Sequence, residues 1–598
     1  MTQLAGYVDL HPDQRPARRL RELLGTAGSV PVEGDGWLVA GLPPSAPVAG
    51  VPARDPLPGD DAPVPVVAGT AQRGLLVGRL FERDGDLSRR CAEPVPLEWL
   101  AGDGELPRRR WGRYAGAAVR PDGTLLLARD PIGHLPCFHV PYAGGLVFAT
   151  RMALLVDLLG ERPDFDWDRL GTFVVQGPGP TTRTAWQGVS QLPPGTLLRR
   201  TGRETSREPL WSAAAVAAGG GAAPDPDALR ETLRACTRAW VGSAPVVALD
   251  LSGGLDSSAV AWAVHADLRA DQTFQPRYVY FPAGASLDER PLAAAVTERL
   301  GSELLVVDGA DLLPLTPPKG PLPRADAPQL QFTEARLNEL LAEQAGPAAE
   351  ALGGGGGDQV FVLKGGGDHL ADHLRRRGPL GVVEAWRESR HGLTPFPQLL
   401  AAAGRELRRA RRREPALTGN DFDFPRPAWL SPPDPGTPLE LPAGAAGLSA
   451  VRAGQILGTA YWGDAVDREH RNPRRPSVYP LLSQPVVEFA LRTPVPALVD
   501  HTGDRLPLRR AVRGLLPESA TDAAVKGSYA GMYQLALRHN AAVARELIMD
   551  GRCAERGLVD PESALADLVA TGRGFVRGPN WPLYNLLAVE LWCRAWRP

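Results

Sequence analysis

Short apolar runs separated by turn residues dominate the first 210 residues of the chain. The clearest runs span 74–80, 116–121, 124–130, 145–150 and 195–200. Runs of this length that are bounded by Gly, Pro and Asp are typical of β-strands joined by hairpins. Segments near 15–24 and 151–160 have helical periodicity and predict two helices. The first part of the chain is therefore predicted to be a strand-rich domain.

A different pattern follows residue 226, where helical and strand-like segments alternate. The helical periods lie at 227–242, 257–268 and 289–301, and the strand-like runs lie at 244–251, 276–282 and 302–308. Strands that alternate with helices form βαβ units, and their ligands bind beyond the carboxyl ends of the parallel strands. From about residue 369 onward the pattern is mostly helical. We therefore predict an α/β domain with a parallel sheet.

A Gly- and Ala-rich stretch, AAAVAAGGGAAPDPD at 213–227, separates the two patterns. Its residues are too small to pack a core, and such composition is typical of a linker. We therefore predict a first domain over 1–210, a linker over 211–228 and a second domain over 229–598, with a helical insertion at about 365–450.

Composition and charge restrict the class of protein. The 598 residues include 66 Lys+Arg and 68 Asp+Glu, a formal net charge of −2, which argues against nucleic-acid binding through bulk charge. The five cysteines are scattered without a C-x-x-C pair, so neither a disulfide framework nor a zinc cluster is predicted. No signal peptide is evident, and no apolar run approaches the ~18–20 residues of a membrane span. We expect a cytoplasmic protein with no nucleic-acid or membrane partner.

One loop carries candidate chemistry. Residues 249–260 read LDLSGGLDSSAV, an apolar strand that runs into two glycines, an aspartate and two serines before a helix. Amides at a helix N-terminus and serine hydroxyls favour an anion such as phosphate, and glycines let the backbone approach it closely. Asp256 would repel phosphate unless a cation lies between them, which argues for Mg²⁺. The loop is not a P-loop, because the lysine of that motif is missing.

The segment SGGLDSS at 252–258 resembles the pyrophosphate-binding motif of the ATP-pyrophosphatase superfamily, whose members split ATP between the α and β phosphates. Further segments follow in the order typical of its asparagine-synthetase branch, namely SLDERPLAAAVTERLG at 286–301, GGGGGDQVF at 353–361, YPLLSQPVVEFALRTP at 479–494 and LPLRRAVRGLLPESATDAAVKGSY at 506–529. The resemblance covers most of 230–530. It implies an α/β parallel-sheet synthetase domain that uses ATP and Mg²⁺ to form an acyl-adenylate.

The resemblance also implies which residues bind ATP. Those implied to bind the pyrophosphate end are Ser252, Gly253, Gly254, Asp256, Ser257 and Ser258. Gly353 and Gly354 would line the nucleoside.

Two further roles follow from the same resemblance. Asp256 and Asp358 would hold the metal. The segment GGGD at 365–368 is similar to GGGGGD at 353–358, so Asp368 is the alternative to Asp358. Lys526 resembles the lysine that stabilises the transition state of adenylate formation or aminolysis, where negative charge builds up and a fixed cation is needed. Lysine is scarce in this chain, which makes Lys526 within its motif more notable.

The first domain resembles the glutaminase half of asparagine synthetases, an Ntn-type α+β sandwich. Segments 111–140 and 189–198 carry this resemblance. A working glutaminase of this kind has Cys after the initiator Met, whereas Thr2 stands here. The family's Asn-Gly-Glu, whose carboxylate holds the glutamine amine, falls on Val77-Gly78-Arg79. We therefore expect no glutaminase activity, because Arg79 would repel the ammonium of glutamine.

Without ammonia from glutamine, the nucleophilic amine must come from the substrate or from solution. Two related enzyme groups fit, the β-lactam synthetases and the lasso-peptide cyclases. Residues 364–392 and the basic segment after them resemble the insertion of lasso-peptide cyclases. Gly355 stands where β-lactam synthetases have a tyrosine of their Tyr–Glu base pair, and Ser483 stands where asparagine synthetases have the Asp of P-F-L-D. The general base is left unidentified.

The predicted function is therefore an ATP- and Mg²⁺-dependent lasso-peptide cyclase, a macrolactam synthetase. The implied partners are a leader-free precursor peptide, a leader peptidase and a leader-binding protein. The alternatives are a β-lactam synthetase or another glutamine-independent asparagine synthetase-like amide ligase, a non-catalytic scaffold that binds nucleotide and peptide, and an N-terminal nucleophile hydrolase that uses Thr2.

His369 and His373 form one further constellation. Their i, i+4 spacing places two imidazoles on one helical face, which can bind zinc. No glutamate follows His369, and the sequence offers no evident third ligand. We interpret the pair as part of a helix surface or as a substrate contact.

Overall fold

The computed structural model describes residues 2–26, 28–43, 46–47, 62–101, 104–177, 179, 181–221, 223–282, 288–365, 367–391, 394–412, 414, 425–431, 444–466, 477–521, 530–575 and 580–596. Within these residues the strands are β1 Gln3–Val8, β2 Val30–Gly34, β3 Trp37–Leu42, β4 Val64–Ala68, β5 Ala71–Glu82, β6 Val95–Pro96, β7 Arg110–Val119, β8 Leu125–Arg129, β9 Phe138–Tyr142, β10 Gly145–Ala149, β11 Ser190–Gln191, β12 Thr196–Thr201, β13 Glu204–Pro209, β14 Val246–Asp250, β15 Thr273–Tyr280, β16 Leu305–Asp308 and β17 Ala349–Gly353.

The α-helices of the described residues run through both halves of the chain. They are α1 Arg15–Leu23, α2 Leu97–Leu100, α3 Glu105–Arg109, α4 Met152–Leu159, α5 Trp167–Gln176, α6 Ala213–Ala218, α7 Pro226–Val241, α8 Leu255–Ala266, α9 Arg290–Leu300, α10 Ala335–Ala345, α11 Gly357–Val360, α12 His369–Arg377, α13 Gly381–His391, α14 Phe396–Arg411, α15 Ala450–Val466, α16 Gln484–Arg492, α17 Val495–Leu498, α18 Leu506–Val512, α19 Glu518–Thr521, α20 Ala530–His539, α21 Ala541–Met549, α22 Arg552–Glu555, α23 Pro561–Gly572 and α24 Trp581–Ala595.

Two antiparallel sheets pack face to face in the first part of the chain. Their strand orders are β11-β9-β10-β1-β3-β2 and β13-β12-β8-β7-β5-β4-β6, with β4 and β6 as a parallel exception. Apolar side chains from both sheets, among them Leu4, Val39, Val77 and Leu127, share one buried cluster. Successive side chains of a strand point to opposite faces of its sheet, so one set from each strand lies in this core.

A four-stranded parallel sheet forms the centre of the second part, in the order β16-β15-β14-β17. All three of its strand pairs are parallel. The strands are joined through α8, α9 and α10, as the alternating pattern predicts. The predicted strands corresponding to β5, β7, β8, β10 and β12, the helices α1 and α4, and the alternation from α7 to β16 are all confirmed.

The two parts of the chain share packing. α24, near the C-terminus, packs against α5 of the first part, and Trp592 contacts Trp186 and Phe165 with ring centroids 5.1 and 4.9 Å apart. Residues 211–228 also differ from the predicted linker, because they contain α6 and the first turn of α7. The small side chains of Ala213 and Ala214 let α6 approach α16 closely enough to bury both. The domain limits at 210 and 229 stay predictions.

The predicted insertion contains α12, α13 and α14, which pack around a small apolar cluster of their own. Leu370, Ala385 and Leu399 lie in that cluster, one from each helix. None of the described helices combines the length and the apolar character needed to cross a bilayer.

Candidate active site

Two glycine-containing loops meet at the carboxyl edge of the parallel sheet. β14 and β17 are neighbours in register, with Asp250 opposite Gly353. The segment 251–254 follows β14 and leads into α8, and the segment 354–356 follows β17 and leads into α11. Both loops therefore lie where ligands of parallel α/β sheets bind.

The loop after β14 is held by its own serines. The Ser252 amide donates to Ser257 Oγ at 3.2 Å, and the Gly254 amide donates to Ser252 Oγ at 3.3 Å. No side chain caps the N-terminus of α8, so its first amides are available to an anion. Ser258 Oγ is buried and has no hydrogen-bond partner among the described residues. A buried hydroxyl in this state fits a missing ligand at the loop.

Three glycines of the two loops lie so close to neighbouring groups that a side chain would clash. Gly253 has φ +78°, and a Cβ on it would lie 2.4 Å from the Ala293 amide nitrogen. A Cβ on Gly354 would lie 2.5 Å from the Ser257 amide nitrogen. Gly353 packs instead on the Tyr479 ring, 2.7 Å from an added Cβ. Gly354 thus lets the loop after β17 approach the start of α8. The ATP-binding role of Gly353 and Gly354 stays a prediction.

Two carboxylates and one guanidinium form the charged centre of the site. Arg505 Nη1 lies 2.9 Å from Asp256 Oδ2 and 2.5 Å from Asp358 Oδ1. Arg505 is held in turn by Asp504, with Nε 3.1 Å from Asp504 Oδ1. Its φ of +50° is uncommon for a residue with a side chain, and such strain is typical of functional sites.

Electrostatics keep Arg505 and Asp504 ionised. Burial acts to lower the pKa of Arg505, but Asp256, Asp358 and Asp504 together raise it. Burial likewise acts to raise the pKa of Asp504, and Arg505 and Arg509 more than offset this and lower it. The guanidinium therefore neutralises two carboxylates that would otherwise repel each other.

The donor set fits a magnesium–pyrophosphate group. Asp256 and Asp358 offer the hard oxygen ligands that Mg²⁺ prefers. Arg505 and the amides of α8 offer charge-assisted donors for phosphate oxygens. Sequence reasoning missed Arg505, although its position one residue before the matched segment 506–529 was a usable signal.

The structure distinguishes the two candidates for the second acidic group. Asp358 and Asp256 both form ion pairs with Arg505 Nη1. Asp368 instead has Glu406 and Arg405 among its charged neighbours, and burial and Glu406 raise its pKa. Asp358 is thus the carboxylate that lies beside Asp256. Lys526 lies outside the described residues, so its predicted role stays a prediction.

The interpretation of His369 and His373 as a helix surface is wrong, because both side chains are buried. His369 Nε2 lies 2.8 Å from Glu388 Oε2, and His373 Nε2 lies 3.0 Å from the Val499 carbonyl oxygen. The packing of α12 against α13 and α17 explains the burial. Each Nε2 has its own protein partner, so the pair does not act together in this arrangement.

A cavity of ≈ 450 Å³ lies beside the charged centre. One wall contains Asp358 and the following segment with Lys364, and another contains His369 of the insertion. The opposite wall is α15, which contributes Tyr461 and Trp462. Cavities of about 300–1,000 Å³ enclose drug-sized ligands, which are larger than one amino acid.

The glutaminase-like site of the first domain is organised differently. Thr2 is buried next to β1. Arg79 Nη2 lies 2.8 Å from Glu350 Oε2, and Nη1 donates to the Trp240 carbonyl oxygen at 3.0 Å. Both partners belong to the second part of the chain. The predicted repulsion of glutamine by Arg79 took no account of this ion pair, which ties the guanidinium to β17.

Comparisons with known proteins agree with this geometry. Residues 228–594 match the family model described as asparagine synthase, and residues 108–211 match the glutamine amidotransferase domain. No curated protein matches the chain significantly.

Two solved structures are similar to parts of the chain. One is an allosteric regulatory enzyme of purine biosynthesis, with 11% sequence identity and a TM-score of 0.20 over 59% of this chain and 83% of that one. The other is glutamine phosphoribosylpyrophosphate amidotransferase from B. subtilis complexed with ADP and GMP, with 10% identity and a TM-score of 0.20 over 53% and 83%. TM-scores this low carry no argument about the present chain.

The fold and the site define a class: an amidotransferase-like antiparallel sandwich followed by a synthetase domain, whose parallel sheet carries a phosphate-type loop at its carboxyl edge. The fold class predicted from the sequence is thereby confirmed. The asparagine synthase model covers more than half of the chain, so the chain belongs to that family. It is an ATP-dependent amide-bond ligase.

Proposed function

We propose that the protein is an ATP- and Mg²⁺-dependent lasso-peptide cyclase. In this proposal it adenylates an Asp or Glu side chain of a leader-free precursor peptide. It then joins that carbonyl to the peptide's own α-amine, which gives an isopeptide macrolactam and releases AMP and pyrophosphate. The proposal narrows the family's amide-bond chemistry to one substrate class.

The observation that carries the proposal is the cavity between Asp358 and the helical insertion. It is larger than aspartate requires, with ≈ 450 Å³, and His369 and Lys364 of its wall belong to the segment that resembles the cyclase insertion. Gln176 of the first domain also lines it. A cavity of this size beside the insertion would hold a segment of the peptide next to the reactive adenylate.

The state of the first domain supports an amine that comes from the substrate. Thr2 replaces the cysteine nucleophile, and Arg79 replaces the acid that would hold glutamine and pairs with Glu350. Ammonia from glutamine is therefore not expected. The peptide's α-amine would take its place and attack within the same molecule.

The charged centre would perform the first step. A carboxylate oxygen of the substrate attacks the α-phosphorus of ATP, and the bond to the β-phosphate oxygen breaks. Asp256 and Asp358 would hold Mg²⁺, which when bound neutralises phosphate charge. Arg505, the α8 amides and Lys526 would stabilise the negative charge that builds on the leaving pyrophosphate.

The second step forms the amide. The α-amine attacks the acyl carbon, the nitrogen loses a proton, and AMP leaves as the C–O bond to phosphate breaks. Arranging amine and adenylate in one cavity converts this into an intramolecular reaction, which is strongly favoured by proximity. The leader peptidase and a leader-binding protein are proposed as partners that deliver the peptide.

The test compares substrates in Mg-ATP. Leader-free peptides encoded beside the gene, each with an Asp or Glu side chain, are compared with free aspartate, with and without ammonia. We expect peptide-dependent release of AMP and pyrophosphate and a product lighter than the peptide by one water. Turnover with aspartate and ammonia, and none with peptide, would contradict the proposal and favour an ammonia-using amide ligase.

A further inference from the structure

A charged cluster on the insertion faces the cavity. His369 at the start of α12 lies 2.8 Å from Glu388 of α13, measured from Nε2 to Oε2. The same carboxylate oxygen lies 3.3 Å from Lys364 Nζ, which also donates to the Asp500 carbonyl oxygen at 3.0 Å. Two side chains, His369 and Lys364, therefore contact the carboxylate, and Lys364 is itself held by the Asp500 carbonyl.

The cluster and the charged centre around Asp358 border the same cavity. His369 and Lys364 line the cavity that Asp358 also lines. The backbone amide of Lys364 donates to Asp504 Oδ2 at 3.4 Å, and Asp504 pairs with Arg505. His369 is thus the imidazole that shares a cavity with the phosphate-binding centre.

The hydrogen bond to Glu388 decides which nitrogen of His369 can act. With the proton on Nε2 donated to the carboxylate, the Nδ1 lone pair is the acceptor. Among the described residues, Glu388 is the only hydrogen-bond partner of the ring. The imidazole is therefore oriented through Nε2, and Nδ1 has no hydrogen-bond partner among the described residues.

Charges around Glu388 favour its ionised form. Burial acts to raise the pKa of Glu388, but His369 and Lys364 together lower it, so the carboxylate stays ionised. Two other titratable groups approach His369: Asp368, whose pKa is raised by burial and by Glu406, and His373, whose pKa is lowered chiefly by burial. A neutral His373, with its ring centroid 6.0 Å away, adds no competing charge.

We propose that His369 is the general base of amide formation and that Glu388 is the residue that positions it. As the α-amine nitrogen bonds to the acyl carbon, Nδ1 of His369 takes the proton that the nitrogen loses. AMP departs with the electron pair of the broken C–O bond, and the imidazolium is stabilised by the Glu388 carboxylate. The inference rests on the proposed function, because it takes a peptide α-amine as the nucleophile.

This reaction needs a base. An α-amine, whose ordinary pKa is about 7.7–8.0, attacks in its neutral form. Its nitrogen becomes positively charged as it bonds to the acyl carbon, and the base removes one proton from that nitrogen. A positioned base contributes about 10²–10⁴-fold to such a step. The first step, attack by a carboxylate, transfers no proton and does not need His369.

The test separates the two steps in His369→Gln. Adenylation is followed by exchange of labelled pyrophosphate into ATP, and amide formation by the product mass. We expect exchange within about twofold of wild type and macrolactam formation slower by about 10²–10⁴-fold. Hydroxylamine, a weakly basic nucleophile that is neutral at pH 7, should still capture the adenylate as a hydroxamate at the wild-type rate.

His373→Gln is the matched control, because it removes an equally buried imidazole one turn further along α12. It should leave the ratio of the two rates unchanged, even if it lowers stability. Glu388→Gln should shift the pH profile of macrolactam formation, and Glu388→Asp should partly restore it.

Equal loss of both rates in His369→Gln, or unchanged macrolactam formation, would overturn the assignment. Failure of the proposed function would look different, since wild-type enzyme would then turn over aspartate and ammonia but no peptide. In that case the ratio of adenylation to amide formation, measured in His369→Gln with aspartate and ammonia, would still test whether His369 is the general base.

Discussion

The phosphate loop of the second domain (residues 251–258) and the glutaminase-like site of the first domain use their polar groups in opposite ways. In the phosphate loop, Ser258 Oγ is buried with no partner among the described residues, and α8 has no side-chain cap. In the first domain, the Arg79 guanidinium binds Glu350 and the Trp240 carbonyl. Polar groups left open are suited to a ligand, whereas groups engaged by another domain hold the architecture together.

The segment 111–140, which resembles the glutaminase half of asparagine synthetases, also uses its polar groups for contacts within the protein. Arg129 donates to the carbonyl oxygens of Leu135 and Leu192 at 2.8 and 2.7 Å. Asp130 accepts four backbone amides, from residues 132–135. Ile132 on this turn packs into the core of the second part of the chain. Arg129 and Asp130 thus stabilise a turn within the first domain, and Ile132 of that turn packs against the second part of the chain.

The largest expected effect is loss of adenylation in Asp256→Asn. The variant removes the carboxylate that pairs with Arg505 and that we propose would hold the metal, so the charge on pyrophosphate would no longer be balanced. We expect pyrophosphate exchange to fall by more than about 10³-fold, measured with the peptide that supports exchange in wild type. Asp271→Asn, an exposed carboxylate paired with Arg269, is the control and should behave as wild type. Residual exchange above a tenth of wild type would contradict the role of Asp256.

Arg505→Met should have the next largest effect. The variant leaves Asp256 and Asp358 without their shared cation and removes a donor for phosphate oxygens. We expect exchange to fall by about 10²-fold, the usual effect of losing one fixed donor. Arg505→Lys keeps the charge and should recover part of the rate. If Arg505→Met raised the affinity for Mg-ATP without a loss of rate, Arg505 would be a competitor of the metal rather than a phosphate ligand.

Much of the fold follows from patterns that lie within single segments. The apolar run at 124–130 predicts β8, and the strand–loop–helix pattern at 249–260 predicts β14, the loop 251–254 and α8. Such local signals depend on neighbours in sequence, which is why the sequence alone was sufficient.

The remaining features depend on contacts between distant segments. Arg505 meets Asp256 across 249 positions, and Arg79 meets Glu350 across 271. His369 was misread because its partner Glu388 lies on the next helix, and a helical period does not show which face a later helix covers. Only the folded chain brings these charges together.

Arg83→Met should weaken the interface that the first domain builds. Arg83 binds Glu488 of α16 through two hydrogen bonds of 2.8 Å each, and Glu488 is buried. Removal of one partner of such a pair costs about 3–5 kcal/mol, because the other charge stays buried. The free energy of unfolding, measured by denaturant titration at neutral pH, should fall by that amount. Arg89→Met, an exposed arginine nearby, is the control.

The same variant should change the acid stability. In the wild type, burial acts to raise the pKa of Glu488, but Arg83, Gln484 and Arg492 together lower it. A lowered folded-state pKa gives stability that is complete above the ordinary carboxyl value of about 4.3 and is lost as the pH falls through the folded value. Without Arg83 burial dominates, so the midpoint of acid unfolding should move to higher pH. An unchanged midpoint would mean that Gln484 and Arg492 suffice.

The smallest effect is expected for Thr2→Ala. If the first domain serves as architecture, removal of its one candidate nucleophile changes neither amide formation nor its amine source. We expect rates within about twofold of wild type, in contrast to the about 10²-fold or larger loss that removal of a catalytic nucleophile gives. Added glutamine should stimulate neither protein. Glutamine-dependent turnover that disappears in Thr2→Ala would show that the first domain still makes ammonia, and would remove the contrast between the two sites.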